Sequence, residues 1–165
     1  MIQKKVCMLG AFAVGKTSLV ARYVHSIFSD KYLTTVGVKI EKRTVDLGDR
    51  QVNLVIWDLY GDDAFQRLRM SYLRGSAGYL LVVDGTRRET LDTALGLDDT
   101  VEHEIGRVPR LLVLNKADLE PSWELDAGDL SDLSARGWRV IRTSAKTGAG
   151  VDETFETLAR LVVNT

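Results

Sequence analysis

The sequence predicts a doubly wound α/β domain, a mostly parallel sheet with helices on both faces. Three observations carry that prediction. Short apolar, β-branched runs alternate with segments of helical periodicity along the chain, as in strand–helix–strand units. Two of these runs, "GYLLVVDG" (78–85) and "RLLVLNK" (110–116), are nearly continuous in apolar residues, as central strands covered on both faces are. A single hairpin signal, Gly48-Asp49 between two longer segments, adds one antiparallel edge strand.

The elements follow in order. "KKVCMLG" (4–10) is a short buried strand that runs into a glycine loop. "TSLVARYV" (17–24) continues as a helix, with Leu19, Val20 and Tyr23 on one face. "VGVKIEKRTVDL" and "QVNLVIWDL" flank "GDR" (48–50) as the hairpin. The two continuous runs are central strands, and "RVIRTS" (139–144) is the last strand. Helical patterns cover 64–73, 90–105, 126–136 and 152–163. The last is the clearest, with Val151, Phe155, Leu158 and Val162 on one face and Asp152 and Glu153 in its first turn. Both prolines, Pro109 and Pro121, fall in connections. With 165 residues and no linker or repeat, the chain reads as one domain, 1–165.

Composition narrows the function classes. The chain has 22 basic and 23 acidic residues and a net charge of −1, so no overall basic field points to nucleic acid or an anionic membrane. No apolar run is long enough to insert directly into a bilayer. The one cysteine, Cys7, lies in an apolar run, which fits a reduced, cytoplasmic setting. His25 and His103 lack metal-ligand spacing and read as surface or helix residues.

"GAFAVGKTS" (10–18) carries the chemistry. A glycine, four residues, then Gly15, Lys16 and Thr17 form a loop between a strand and a helix. Its amides, across Phe12, Ala13, Val14 and Gly15, make a nest for phosphate oxygens, and Ser18 closes the motif. Lys16 is placed to neutralise the β- and γ-phosphates and Thr17 to ligate Mg²⁺. The base is read at "NKAD" (115–118), with Asn115, Lys116 and Asp118. The Asp118 carboxylate accepts two N–H bonds from a guanine edge, a donor pair that adenine lacks. Lys116 can lie over the purine ring. "TSAKTG" (143–148), with Ser144, Ala145 and Lys146, can offer a backbone amide to the guanine carbonyl.

With these motifs in this order, the chain resembles a Ras-superfamily small GTPase, closest to the Rab-like branch. "YLTTVGVKI", "VIWDLYGDD" and "YLRGSAGYLLVVD" extend the resemblance over essentially all 165 residues. The resemblance implies the P-loop NTPase fold, a six-stranded mixed sheet with five helices, with GTP or GDP and Mg²⁺ as ligands. It places Phe28 edge-on to the guanine and Thr35 on Mg²⁺ in the GTP state only. Asp58 is to hold Mg²⁺ through water, and the Gly61 amide is to reach the γ-phosphate. Effectors and regulators are expected at residues 28–40 and 57–72, with Ile40, Trp57 and Tyr72 as an apolar patch.

The chain departs from the family at three places. Phe12 and Ala13 stand where small residues are usual, and the Phe12 ring must project toward the space an arginine finger would need. Asp62 stands where a glutamine usually orients the attacking water; ionised, it only accepts, and it adds charge near the γ-phosphate. The expected outcome is a slow hydrolase in which Asp62, Gly61, Lys16 and Thr35 form the catalytic set. The alternative is a nucleotide-locked scaffold. Finally, "LVVNT" has no terminal cysteine, so either the chain is truncated there or the member is not lipidated.

Overall fold

The computed structural model describes residues 2–28, 37–60 and 70–164. Six strands form one sheet: β1 (Ile2–Gly10), β2 (Gly37–Asp46), β3 (Gln51–Tyr60), β4 (Gly78–Asp84), β5 (Arg110–Asn115) and β6 (Val140–Arg142). Their order is β2-β3-β1-β4-β5-β6. Only the β2–β3 pair is antiparallel. The expected edge hairpin is therefore present. Its turn is closed by the Leu47 amide on the Arg50 carbonyl and the Gly48 amide on the Asp46 carboxylate, both 2.9 Å.

Four α-helices lie among the described residues: α1 (Lys16–His25), α2 (Glu89–Ile105), α3 (Ala127–Ala135) and α4 (Val151–Val163). Alternation along the central strands divides the core. Val6 and Met8 of β1, Leu80 and Val82 of β4 and Val113 of β5 pack with α1 and α4. Cys7 and Leu9, Tyr79, Leu81 and Val83, and Leu112 and Leu114 pack with α2 and α3 on the other face. Apolar residues on both faces explain why β4 reads as an unbroken apolar run. The expected α1 residues Leu19, Val20 and Tyr23 are buried, as are Val151, Phe155, Leu158 and Val162 of α4. Tyr23 and Phe155 stack at 4.1 Å between ring centroids, which locks α1 to α4.

Several boundaries differ from the sequence reading. β1 starts at Ile2, two residues early, because it pairs with β3 from Ile2 onward. β6 is confined to Val140–Arg142; Thr143 and Ser144 leave it because the Ser144 amide bonds the Ala149 carbonyl and starts a turn. The helix expected over 64–73 falls mostly outside the described residues, and its last part, Met70–Leu73, is a 3-10 turn. A further 3-10 segment, Ala117–Ser122, follows β5 without any strong sequence signal. α3 begins with a reciprocal cap: Asp126 accepts from the Asp129 amide while the Asp129 side chain accepts from the Asp126 amide.

The chain crosses from one side of the sheet to the other around β1, whose neighbours are β3 and β4. The carboxyl ends of the parallel strands share one edge, and the break in winding order opens a crevice there. Gly10, Asp58, Asp84 and Asn115 all stand at that edge, in register as Gly10–Val82, Met8–Asp58 and Asp84–Asn115.

Candidate nucleotide site

The glycine loop turns at the end of β1 and hands the chain to α1 at Lys16. Gly15 has φ 105°, and a Cβ there would meet the Asn115 Nδ2 at 2.2 Å. Glycine is therefore required by the base motif packing against the loop as well as by the turn. The Lys16 ammonium is buried and donates to the Gly10 and Ala11 carbonyls at 2.8 and 2.9 Å. Phe12 is 40% exposed. Ala13 holds φ 63°, the left-handed region that costs a residue with a Cβ about 1–2 kcal/mol.

Beside the loop, Thr17 donates its hydroxyl to the Asp58 Oδ2 at 2.6 Å. Asp58 is fully buried, and its Oδ1 has no hydrogen-bond partner among the described residues. Burial pushes the Asp58 carboxyl up from its ordinary value, against the Thr17 bond and the nearby Lys16 charge. A buried carboxylate oxygen without a donor is costly unless a cation or ordered water supplies the missing partner. That demand fits a hydrated Mg²⁺, which the Thr17 hydroxyl and, through water, Asp58 would hold. Mg²⁺ keeps several waters and is seldom caged by protein alone. The described residues contain no cluster of three or more His, Cys, Asp or Glu fit to hold a metal.

The base motifs meet on the far side of the loop. Asn115 donates to the Val14 carbonyl at 3.0 Å and accepts from the Thr143 hydroxyl at 3.0 Å. Lys116, at φ 69°, reaches the Ala13 carbonyl at 3.3 Å and the Asp84 Oδ2 at 2.8 Å. The Ser144 hydroxyl donates to the Asp118 Oδ1 at 2.7 Å, and Ser144 in turn accepts from the Thr147 amide. Arg22 caps the Ala145 and Lys146 carbonyls and so fixes the loop that carries them. Hydrogen bonds thus join "GAFAVGKTS" to "NKAD" and "NKAD" to "TSAKTG".

Four supporting residues were not apparent in the sequence. Asp84 is buried at the end of β4 and takes bonds from Lys116, the Thr86 hydroxyl and amide, and Arg87. Burial alone would raise its carboxyl; these bonds outweigh that and hold it below the ordinary value. Thr143 orients Asn115, and Trp123 donates its ring N–H to the Lys116 carbonyl at 2.9 Å. Arg87 bonds the Phe12 carbonyl at 2.7 Å. A carboxylate closing an apolar central strand was the available signal for Asp84; Arg87 and Trp123 lie in no motif.

Thr35, Gly61 and Asp62 lie outside the described residues. Phe28 is described and is 36% exposed. Trp57 and Tyr72 lie 5.8 Å apart between ring centroids. The Lys5 ammonium sits 3.8 Å over the Trp57 ring and bonds the Tyr72 and Arg74 carbonyls. Trp57 and Tyr72 are half-buried, while Ile40 beside them on β2 is exposed. His25 has a partner that the sequence did not show, Glu41 at 3.3 Å, which ties the end of α1 to β2.

Comparison with known proteins gives the family. A sequence model of the Ras family matches residues 5–164. The chain is 33% identical over 158 residues to the Ras-related protein Rab-13 of Canis lupus familiaris, covering 94% of this chain and 78% of the relative. It is 33% identical over 158 residues to the GTP-binding protein ypt2 of Schizosaccharomyces pombe, with 94% and 79% covered. It is 34% identical over 161 residues to the Ras-related protein SEC4 of Saccharomyces cerevisiae, with 96% and 74% covered. The matched span takes in every strand and helix around the crevice, and the chain belongs to the Ras family as a Rab-like small GTPase.

Proposed function

We propose that the chain is a guanine-nucleotide switch that binds Mg²⁺–GTP and GDP and hydrolyses GTP slowly, within one domain spanning 1–165. The observation that supports this reading is the chain of hydrogen bonds that joins the phosphate loop to Asn115, Asn115 to Thr143, and the neighbouring Ser144 to Asp118. Asp118 Oδ1 is held by Ser144, and an acceptor so oriented favours the paired donors of guanine. Phe12 through Ser18 cradle the phosphates, Phe28 flanks the base, and Lys116, Ala145 and Lys146 complete the base pocket. A polyphosphate competes with the Gly10 and Ala11 carbonyls for the Lys16 ammonium. Mg²⁺, held by Thr17, by Asp58 through water and in the GTP state by Thr35, would neutralise phosphate charge during transfer. Residues 28–40 and 57–72 carry the nucleotide-dependent signal to effectors and regulators.

Slowness follows from Asp62 and Phe12. Phosphoryl transfer depends on positioning and electrostatics. An ionised Asp62 repels the γ-phosphate and donates nothing, and Phe12 crowds the path of a finger supplied in trans. We expect intrinsic turnover on the order of 10⁻⁴ s⁻¹ or below. Asp62 and Phe12 also favour a second reading, a nucleotide-locked scaffold with little turnover. A cytoplasmic location accords with the buried free Cys7 thiol. No helix among the described residues is long and apolar enough to cross a membrane.

Identification of the nucleotide that copurifies, followed by single-turnover hydrolysis, tests this reading. Copurified GDP or GTP and a rate that rises on Asp62→Gln support the switch. Copurified GTP that stays intact even in Asp62→Gln supports the scaffold. Bound ATP sinks both. Fast wild-type hydrolysis that falls on Asp62→Gln would make Asp62 a working water-orienting residue.

A further inference from the structure

The phosphate loop contains an alanine in the left-handed region, where its own preference runs the other way. Something outside the loop must hold it there. Three successive carbonyls show what does. Arg87 Nη2 donates to Phe12 O at 2.7 Å, Lys116 Nζ to Ala13 O at 3.3 Å and Asn115 Nδ2 to Val14 O at 3.0 Å. In a planar trans peptide the carbonyl of one residue and the amide of the next point in opposite directions. Drawing these three carbonyls to one side turns the amides of Ala13, Val14 and Gly15 to the other. Lys116 and Asn115 belong to the base motif; Arg87 belongs to no motif.

Arg87 is well placed to hold its position. Its Nε bonds the buried Asp84 Oδ2 at 3.1 Å, the oxygen that also takes Lys116 at 2.8 Å. One carboxylate oxygen therefore anchors two cations, and each cation holds one of the two carbonyls flanking the Ala13 Cα. Glu89 lies 3.9 Å from the Nη1 of the same guanidinium. The fork of the guanidinium lets Arg87 reach Asp84 and Phe12 at once, which a lysine ammonium does poorly. Without Arg87, the Phe12 carbonyl loses this charged donor and the Phe12–Ala13 peptide is held less firmly. Rotation would bring Ala13 out of its left-handed conformation and turn its amide away from the nest.

We propose that Arg87 is a positioning residue for phosphate binding, holding the Phe12 carbonyl outward so that the Ala13 amide stays turned into the loop. The proposal rests on the guanine-nucleotide reading. It makes Arg87 the compensation for a loop that carries Phe12-Ala13 in place of smaller residues.

Dissociation constants for GDP and GMP, measured by competition in wild type, Arg87→Ala, Arg87→Lys and Ala13→Gly, test it. A bond from a charged donor converts to a loss of about tenfold or more. Arg87→Ala should weaken GDP by about that factor and leave GMP, which lacks the β-phosphate, nearly unchanged. Arg87→Lys should fall between wild type and Arg87→Ala. In the Ala13→Gly background, where the left-handed conformation is free of its penalty, removing Arg87 should cost much less. Equal losses for GDP and GMP, or the same loss with Gly at position 13, would overturn the proposal, because a merely structural arginine would give that result. So would Arg87→Ala and Arg87→Lys proteins that bind GDP as wild type does. A wild type that fails to bind GDP overturns the nucleotide reading itself, and this inference with it.

Discussion

The two ends of the candidate site are built on opposite plans. At the base end the polar groups satisfy one another: Thr143 donates to Asn115, Asn115 to the Val14 carbonyl, Ser144 to Asp118 and Trp123 to the Lys116 carbonyl. At the metal end, Asp58 is fully buried with one oxygen unpartnered among the described residues. The base end is a preorganised template that loses little freedom on binding. The metal end carries an unmet electrostatic demand, so its ligand contributes stability as well as chemistry. Specificity is therefore expected from the base end and ligand-dependent stability from the metal end.

The largest expected effect breaks the template. Asp118→Asn removes two bonds to a charged acceptor, each worth about 1.5–3 kcal/mol, so GDP affinity should fall roughly 10²- to 10⁴-fold. Preference should move toward xanthine nucleotides, whose extra carbonyl suits an amide donor. Competition against labelled GDP measures both; ATP displacing GDP equally well from wild type would remove Asp118 from the base site.

A substitution at the metal end should act with two signs. Asp58→Asn should weaken Mg²⁺-dependent GDP retention by about 10- to 100-fold, as loss of a group orienting a metal's water does. In EDTA without nucleotide the same change should stabilise the protein by about 1 kcal/mol, because it removes a buried charge whose Oδ1 lacks a partner among the described residues. Chemical denaturation and GDP off-rates separate the two. Chelation should speed GDP release in wild type and far less in the variant. A variant that is destabilised in EDTA would show that Asp58 is satisfied without metal.

A smaller effect sharpens the contrast. Thr143→Val leaves the Asn115 Oδ1 without its donor and should raise the GDP off-rate severalfold, about 1 kcal/mol. The variant should respond to Mg²⁺ removal as wild type does, because Thr143 serves only the base end. Loss of the metal response in this variant would mean that the two ends are coupled more tightly than their hydrogen bonds show.

The smallest effect is a pH dependence carried by Asp84. Its carboxyl lies below the ordinary value, since the bonds from Lys116, Thr86 and Arg87 outweigh burial. A depressed carboxyl stabilises the fold above the unfolded value near ~4 and loses that contribution as pH falls through the folded value. Asp84→Asn should therefore be less stable than wild type at pH 7, with the difference shrinking below about pH 4. A difference that stays constant with pH would mean that the ionised form of Asp84 contributes nothing.

Local chemistry made much of this legible from the residues alone. The run 79–83 is apolar throughout because both sheet faces are covered, and the buried side chains of β4 agree. "NKAD" could be placed at a strand end, because the continuous apolar run before it marked where the strand stops. The limits of β6 were not legible, since a turn bond from Ser144 to Ala149 ends it. Nor was the Ala117–Ser122 segment, because Pro121 and scattered polar residues give it no period.

By itself the sequence determined the fold class, the phosphate loop and the residue types that favour guanine, because each depends on period, on glycine placement or on the donor and acceptor inventory of single side chains. Only the tertiary structure decided how those pieces are held. It brought Asp84 beneath Lys116 and Arg87, set Asn115 where a Cβ on Gly15 would stand, and left one oxygen of Asp58 without a partner among the described residues. Arg87 and Phe12 are 75 positions apart in the chain and 2.7 Å apart in space. Such pairings depend on strand order and register, which bring together the ends of β1, β4 and β5 and have no counterpart in any local stretch of sequence.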